Sequence, residues 1–149
     1  VYRYIRMRVN DDVVAEDLTA QVFLKVLEGL PSYEITDRPF RAWLYRIAYA
    51  RTVDYFRRHS RRKEVALTET VPARGPQPGD GLEAEDAWET AVDLMAQLTD
   101  DQQDVIVMRF IGEMSLVEVA DTLNKSVGAV KSLQHRALAT IGRLLEEEE

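Results

Sequence analysis

The residues whose types and spacing could do chemistry fall into two groups, and neither group is catalytic. Between Phe40 and Phe56, seventeen residues hold six of the chain's twelve aromatics: Phe40, Trp43, Tyr45, Tyr49, Tyr55 and Phe56. Arg41, Arg46, Arg51, Arg57, Arg58, Arg61, Arg62 and Lys63 interleave with them and follow them. Aromatic faces stack on unpaired bases, each worth about 1–3 kcal/mol, while arginines hold the nucleic-acid backbone. On a helix, Arg41, Tyr45, Tyr49 and Phe56 come near one face, opposite much of an apolar stripe of Phe40, Trp43, Leu44 and Ile47. The competing reading is that several rings are core, and Trp43 belongs there.

The second group is Ser115–Arg136. Ser115 with Glu118 is spaced as a capping box that opens a short helix with Leu116, Val119, Ala120 and Leu123 inward. Asn124–Ser126 makes a tight turn, and a longer helix follows with Val130, Leu133, Ala137, Ile141 and Leu144 on its buried side. A short capped helix, a three-residue turn and a longer helix match helix-turn-helix geometry, whose second helix enters the major groove. Gly128 and Ala129 would allow close backbone approach there. Lys131, Ser132, His135 and Arg136 lie off the apolar stripe, free for phosphates and base edges. The alternative is an ordinary helical hairpin whose polar residues face water.

What is missing excludes several classes. No nucleophile–base set, glycine-rich phosphate loop or paired-acid motif stands out, so neither an enzyme nor a small-molecule substrate is indicated. There is no cysteine, and the two histidines, His59 and His135, lie far apart, so neither a metal site nor another cofactor is expected. No apolar run approaches the roughly 20 residues that span a bilayer, and no secretory signal opens the chain. A cytoplasmic protein without membrane insertion follows. The first residue is Val1 rather than Met, so a missing native start is expected.

The net charge of −7 looks wrong for a nucleic-acid binder until it is divided. Residues 1–63 hold 13 Lys and Arg against 8 Asp and Glu, a net of +5. Residues 64–85 carry a net of −4 and residues 86–149 a net of −8. Basic charge is therefore concentrated in the first part, which suits DNA contact in one place and weak binding by the free chain overall.

The elements that must position these groups are helical almost throughout, so the fold class is all-α with two small helical domains. A first long helix starts after Asn10 or Asp11, with Val14, Leu18, Val22 and Val26 repeating every four residues and Phe23, Leu27 and Leu30 in an adjoining row. Asp17, Gln21, Lys25 and Glu28 share its opposite face, which read alone is an ordinary solvated face. Pro31–Arg38 is a loop carrying Tyr33, and Pro39 opens the next helix, expected to run to about Arg58. Six Pro and Gly between Pro72 and Gly81 mark a linker, giving domains at 1–63 and 86–149 joined by residues 64–85. Beyond it Trp88, Val92, Met95 and Leu98 define a helix, Thr99 with Gln102 caps the next, and Glu146–Glu149 is an acidic tail expected to fray.

In this order the parts resemble the extracytoplasmic-function sigma factors of bacterial RNA polymerase. Asp17-Leu18-Thr19-Ala20-Gln21-Val22-Phe23-Leu24-Lys25 resembles their polymerase-binding helix. Phe40-Arg41-Ala42-Trp43-Leu44-Tyr45-Arg46-Ile47-Ala48, continuing to Asp54-Tyr55-Phe56-Arg57-Arg58, is similar to their promoter-melting segment. Val127-Gly128-Ala129-Val130-Lys131-Ser132 with His135-Arg136-Ala137 is similar to their recognition helix. The resemblance implies that Asp17, Gln21 and Lys25 bind core RNA polymerase. Tyr33, Arg41, Tyr45, Arg46, Tyr49, Arg57, Arg58, Arg61 and Arg62 would bind the minus-ten element of promoter DNA. Gly128, Ala129, Lys131, Ser132, His135 and Arg136 would bind the minus-thirty-five element.

It also implies an anti-sigma factor as a partner, and promoter recognition within holoenzyme, which removes the objection from net charge. Three positions depart from the pattern. Ala50 stands where many relatives carry an Asn that assists base recognition, Leu133 stands where Arg is common, and a helical segment normally precedes Tyr2. The rival is a helix-turn-helix regulator that acts without polymerase.

Overall fold

The computed structural model describes residues 1–63 and 82–149, and every regular element among them is helical. The chain divides into two compact units, Val1–Arg74 and Gly75–Glu149. The stretch 64–81, which holds most of the expected linker, lies outside the described residues.

In the first unit, helix α1 (Tyr2–Arg8) precedes α2 (Asp12–Gly29) and α3 (Phe40–Lys63). The sequence reading did not anticipate α1. Seven residues are too few to hold a helix in water by propensity. Packing holds this one, with Tyr4 and Ile5 fully buried. At the corner with α2, the Asp11 carboxylate accepts from the Val14 N–H at 3.1 Å and caps α2. Arg6 is buried beside it, paired with the Asp12 carboxylate and donating to Asn10 Oδ1 at 3.1 Å and the Val9 carbonyl at 3.4 Å.

Helix α2 buries Ala15, Leu18, Val22 and Val26, while Val14 is only half-buried. The row of Phe23, Leu27 and Leu30 is exposed rather than core, and Leu24 is exposed with it. A Cβ on Gly29 would lie 2.9 Å from the Trp43 ring, so glycine is what lets the indole close over the end of α2. A 3-10 turn, Leu30–Ser32, then leads into the loop, with the Ser32 hydroxyl donating to the Gly29 carbonyl at 3.1 Å.

Helix α3 buries Ala42, Tyr45, Ala48 and Thr52. This is the side of α3 that the sequence reading assigned to DNA. The expected stripe of Trp43, Leu44 and Ile47 is half-buried, and Phe40 is exposed. The cause is α1: with α1 on one side and α2 on the other, α3 packs inward along two strips. A helix with two buried strips shows a weak single stripe in its sequence.

The second unit holds α4 (Leu82–Ala96), α5 (Asp100–Ile106), a wide π-type turn (Val107–Ile111), α6 (Leu116–Leu123) and α7 (Val127–Glu147). Helix α4 begins before Trp88, inside the stretch expected as linker, with Glu83 and Glu85 in its first turn where the helix dipole favours acids. Both expected capping boxes are formed. The Thr99 N–H donates to Gln102 Oε1 at 3.1 Å and the Gln102 N–H to Thr99 Oγ1 at 3.3 Å. The Ser115 N–H donates to Glu118 Oε2 at 3.0 Å and the Glu118 N–H to Ser115 Oγ at 3.1 Å.

After α5 the chain widens, and the Gly112 N–H donates to the Val107 carbonyl at 3.0 Å. Gly112 is buried, and a Cβ there would meet the Met108 carbonyl oxygen at 2.7 Å. Glu113 then takes a left-handed φ of 51°, and the Met114 N–H returns to the Met108 carbonyl at 3.1 Å. Helix α7 continues through Glu146 to Glu147, with Arg143 Nη1 donating to Glu147 Oε1 at 2.7 Å, where a frayed tail was expected.

Candidate nucleic-acid interface

Three surfaces carry the residues singled out above. On α2, Asp17, Gln21 and Lys25 do lie along one open face. Gln21 Nε2 donates to Asp17 Oδ2 at 2.8 Å, and Lys25 Nζ lies 3.2 Å from Glu28 Oε2. The face is not purely polar. At 100° per residue Leu24 falls about 20° from Asp17 on the side away from Glu28, and Leu27 about 60° further round; these two leucines are 60% and 64% exposed. Exposed leucines beside charged side chains make this face part apolar rather than wholly polar.

The second surface is α3 with the loop before it. Tyr33, half-buried, meets Phe40 edge-on at 5.3 Å and tilts against Trp43 at 4.8 Å, so three rings anchor the base of the loop. From that base Ile35 reaches out 93% exposed. Between α2 and α3 runs an open groove of about 560 Å³, lined by the apolar Trp43, Ile47 and Ala50 and by the charged Lys25, Arg51, Asp54 and Arg57. Asp54 pairs with Arg51 at 3.6 Å and with Arg58 at 3.3 Å. Apolar and cationic lining together can take a base with its phosphate.

Of the described residues expected at the minus-ten element, Arg57 alone lines that groove. Arg46, Arg57 and Arg58 are exposed and Arg41 and Tyr49 are half-buried, but Tyr45 is 7% exposed and meets the buried Tyr4 edge-on at 5.7 Å. The ring of Tyr45 is therefore a core ring and not an open stacking platform, because α1 covers it. Phe56 is likewise covered, by the Arg8 guanidinium 5.3 Å from its centroid. Tyr55 stacks on His59 at 5.5 Å, and burial, then the Asp11 carboxylate, raise its phenol pKa. The side chains of Arg61 and Arg62 lie outside the described structure.

The third surface is α7. Asn124 ends α6 with a left-handed φ of 53°, and the Lys125 N–H closes back on the Ala120 carbonyl at 2.9 Å. Ser126 then caps α7, its Oγ accepting from the Ala129 N–H at 3.1 Å. Lys125 Nζ lies 3.2 Å from Asp101 and ties this turn to the start of α5. Val130 and Ala137 are fully buried, whereas Leu133, Ile141 and Leu144 are only half-buried.

Gly128, Ala129, Lys131, Ser132, His135 and Arg136 are all exposed and share the opposite arc. Arg136 Nε donates to the Ser132 carbonyl at 3.3 Å, which lays it along the helix. A Cβ on Gly128 would meet only Ser126 Oγ, at 4.0 Å, so nothing within the unit requires glycine there.

Comparison with known proteins decides the lineage. Residues 1–62 match the model of sigma-70 region 2, and residues 94–141 match that of sigma-70 region 4. The sigma factor ShbA of Streptomyces griseus is 35% identical over 97% of this chain and 81% of its own length. The chain belongs to the ECF RNA polymerase sigma factors. SigW of Bacillus subtilis, another member, is 33% identical over 89% of this sigma factor and 76% of its own length. BldN of Streptomyces coelicolor is 35% identical over 99% of this chain, which spans 57% of BldN.

The fold is shared with solved sigma factors. The sigma factor RpoE of Bartonella quintana, solved with the anti-sigma factor NepR, superposes with a TM-score of 0.77 at 22% identity, covering 99% of this chain and 91% of that one. CnrH, solved with the cytosolic domain of CnrY, gives 0.71 at 24%, covering 99% and 81%.

Two features of this sigma factor escaped the sequence reading. Leu27 was read only as part of a row adjoining Val22 and Val26, and Leu24 was given no face, although their position between Glu16 and Asp17 on the helical wheel was a signal. A guanidinium bridge from Arg109 to Gln134 had a fainter one, a Gln lying on the inward stripe of α7. Among the described residues there is no group of three or more His, Cys, Asp or Glu placed to hold a metal, and no helix long and apolar enough to cross a membrane.

Proposed function

We propose that this chain acts in the cytoplasm as a dissociable promoter-recognition subunit of RNA polymerase, working by binding and without a catalytic site of its own. Residues 1–63 hold core polymerase through Asp17, Gln21 and Lys25 on α2 and capture the opened minus-ten element. Tyr33, Arg41, Arg46, Tyr49, Arg57, Arg58, Arg61 and Arg62 are the contacts proposed for that element, with Tyr45 supporting them from the core. Residues 86–149 read the duplex minus-thirty-five element through Gly128, Ala129, Lys131, Ser132, His135 and Arg136, and residues 64–85 connect the two. Gly128 and Ala129 let the backbone come close, while Lys131 and Arg136 hold phosphates.

The observation that carries this reading over a stand-alone regulator is the open face of α2. Leu24 and Leu27 stand exposed beside Asp17, Gln21 and Lys25. A regulator that needs only DNA has no use for an acidic and apolar helix face, since duplex DNA repels the carboxylates and offers the leucines nothing. A protein partner uses both. The same open face supports a second partner, an anti-sigma factor that covers these leucines and so excludes polymerase.

The experiment is duplex binding with and without core polymerase at physiological salt. The chain alone should bind promoter duplex weakly, and core should confer sequence-specific binding. Asp17→Lys and Lys25→Glu should weaken core binding while helicity stays unchanged. Sequence-specific binding at micromolar concentration or tighter without core, unaffected by those reversals, would favour the regulator.

A further inference from the structure

Among the described residues of the second unit, a part-buried polar bridge links three elements. Arg109 lies in the π-type turn after α5. Its Nη1 donates to the Met114 carbonyl at 2.6 Å, immediately before the Ser115 cap of α6. Its Nε donates to Gln134 Oε1 on α7 at 2.9 Å. One planar guanidinium therefore joins the end of α5, the start of α6 and the middle of α7. A fork of fixed donors sets angles in a way that apolar contacts do not.

The placement of Gln134 gives the bridge its meaning. Gln134 follows the fully buried Val130 by four residues and precedes the fully buried Ala137 by three, so it lies on the inward stripe of α7. At about 100° per residue, Ser132 and Arg136 sit roughly 160° around the helix from it. The fully buried apolar residues on that stripe are Val130 and Ala137, with Leu133, Ile141 and Leu144 half-buried beside them, and apolar contacts fix the rotation of α7 less sharply than a directed hydrogen bond does. With exposed side chains about 6 Å from the axis, a rotation of roughly 10° would move the outer face by about 1 Å. A displacement of that size is enough to spoil a designed contact geometry.

We infer that Arg109 is a positioning residue for promoter reading: held by the Met114 carbonyl, it sets the rotation of α7 through Gln134 and so aims Ser132 and His135 at base edges and sets Arg136 against the phosphates. This rests on the reading of α7 as the minus-thirty-five helix. Arg109 and Gln134 make no contact with DNA themselves. Their effect falls on discrimination between sequences rather than on general attraction to DNA.

The test uses holoenzyme assembled from the full chain and core polymerase. Its probes are a promoter duplex selected by wild-type holoenzyme from a library randomised upstream, and the same duplex with that upstream element scrambled. Arg109→Lys keeps the charge but cannot make both bonds, and Gln134→Leu removes the acceptor. Each should weaken binding to the selected duplex about fivefold to tenfold, the size of one lost hydrogen bond. Binding to the scrambled duplex should change less than twofold, with the salt dependence unchanged. The double variant should be no worse than either single one, because both break the same bridge. Gln134→Glu, which keeps an acceptor oxygen, should retain discrimination.

Additive losses, equal losses on both duplexes, or a salt slope lowered by about one for Arg109→Lys would overturn the proposal, the last because it marks a direct phosphate contact. If Arg109→Lys does not fold, Gln134→Leu against Gln134→Glu makes the same comparison. Lys131→Ala and Arg136→Ala separate the two claims. If they weaken binding while Arg109→Lys leaves discrimination intact, the positioning role alone falls. If none of the three variants matters, the reading of α7 falls with it.

Discussion

Replacing Asp12 with Ala tests the corner that sets the start of α2. Arg6 is buried, and its three partners are the Asp12 carboxylate, Asn10 Oδ1 and the Val9 carbonyl. Only the carboxylate neutralises the guanidinium. Breaking a buried pair from one side costs about 3–5 kcal/mol, because the remaining charge stays buried without a counter-ion. Two neutral acceptors survive and the Asp12 side chain keeps 18% of its exposure, so the lower end applies, about 3 kcal/mol. A domain of this size has about 3–9 kcal/mol of stability in all. At roughly 4–8 °C per kcal/mol, the unfolding midpoint of the first unit should fall by about 12–24 °C.

Thermal unfolding of the full chain in a Trp88→Phe background gives a clean reading, since Trp43 then reports the first unit alone. Adding Arg6→Met to Asp12→Ala should restore about 2 kcal/mol, because it removes the stranded charge. A single variant within about 0.5 kcal/mol of wild type would refute the reasoning, since ordinary surface substitutions stay within that range. So would a double variant no better than the single one.

Gly112→Ala should destabilise the second unit by about 1–3 kcal/mol, because its Cβ would meet the Met108 carbonyl oxygen at 2.7 Å; urea unfolding followed through Trp88 in a Trp43→Phe background measures it. Tyr45→Ala should cost about 3 kcal/mol of stability and impair promoter opening only in proportion to lost folding, whereas Tyr49→Ala should fold and still slow opening. Permanganate reactivity of promoter thymines, read beside circular dichroism, separates the two. Lys131→Ala and Arg136→Ala should each lower the slope of log affinity against log salt by about one on every promoter sequence; relaxed preference at one base pair would instead make that residue a base reader.

The second unit was largely legible because its signals are local. Both capping boxes and the turn at Asn124 are written within a few residues and formed as read, while of the stripe read on α7 Val130 and Ala137 are buried and Leu133, Ile141 and Leu144 only half-buried. The open arc of Gly128, Ala129, Lys131, Ser132, His135 and Arg136 followed from that stripe by helical geometry. The first unit was less legible because its burial is set by a partner that the sequence hides. Helix α1 has too few residues to show periodicity, yet Tyr4 decides which side of α3 is core and turns Tyr45 inward. On α2 the apolar rows are too many for one buried strip, and composition alone does not say which row stays open. Arg109 and Gln134 lie 25 residues apart, and nothing local marks them as a pair.

The most direct test of the central claim is run-off transcription of a promoter-bearing fragment by core polymerase with and without the full chain. Core alone should give no discrete product. The chain should add transcripts from a defined start, and Asp17→Lys should abolish them while the variant's circular dichroism and unfolding midpoint match the wild type. If the chain adds no transcript and binds duplex equally well with core present or absent, it is not a sigma subunit, and the open face of α2 serves some other contact.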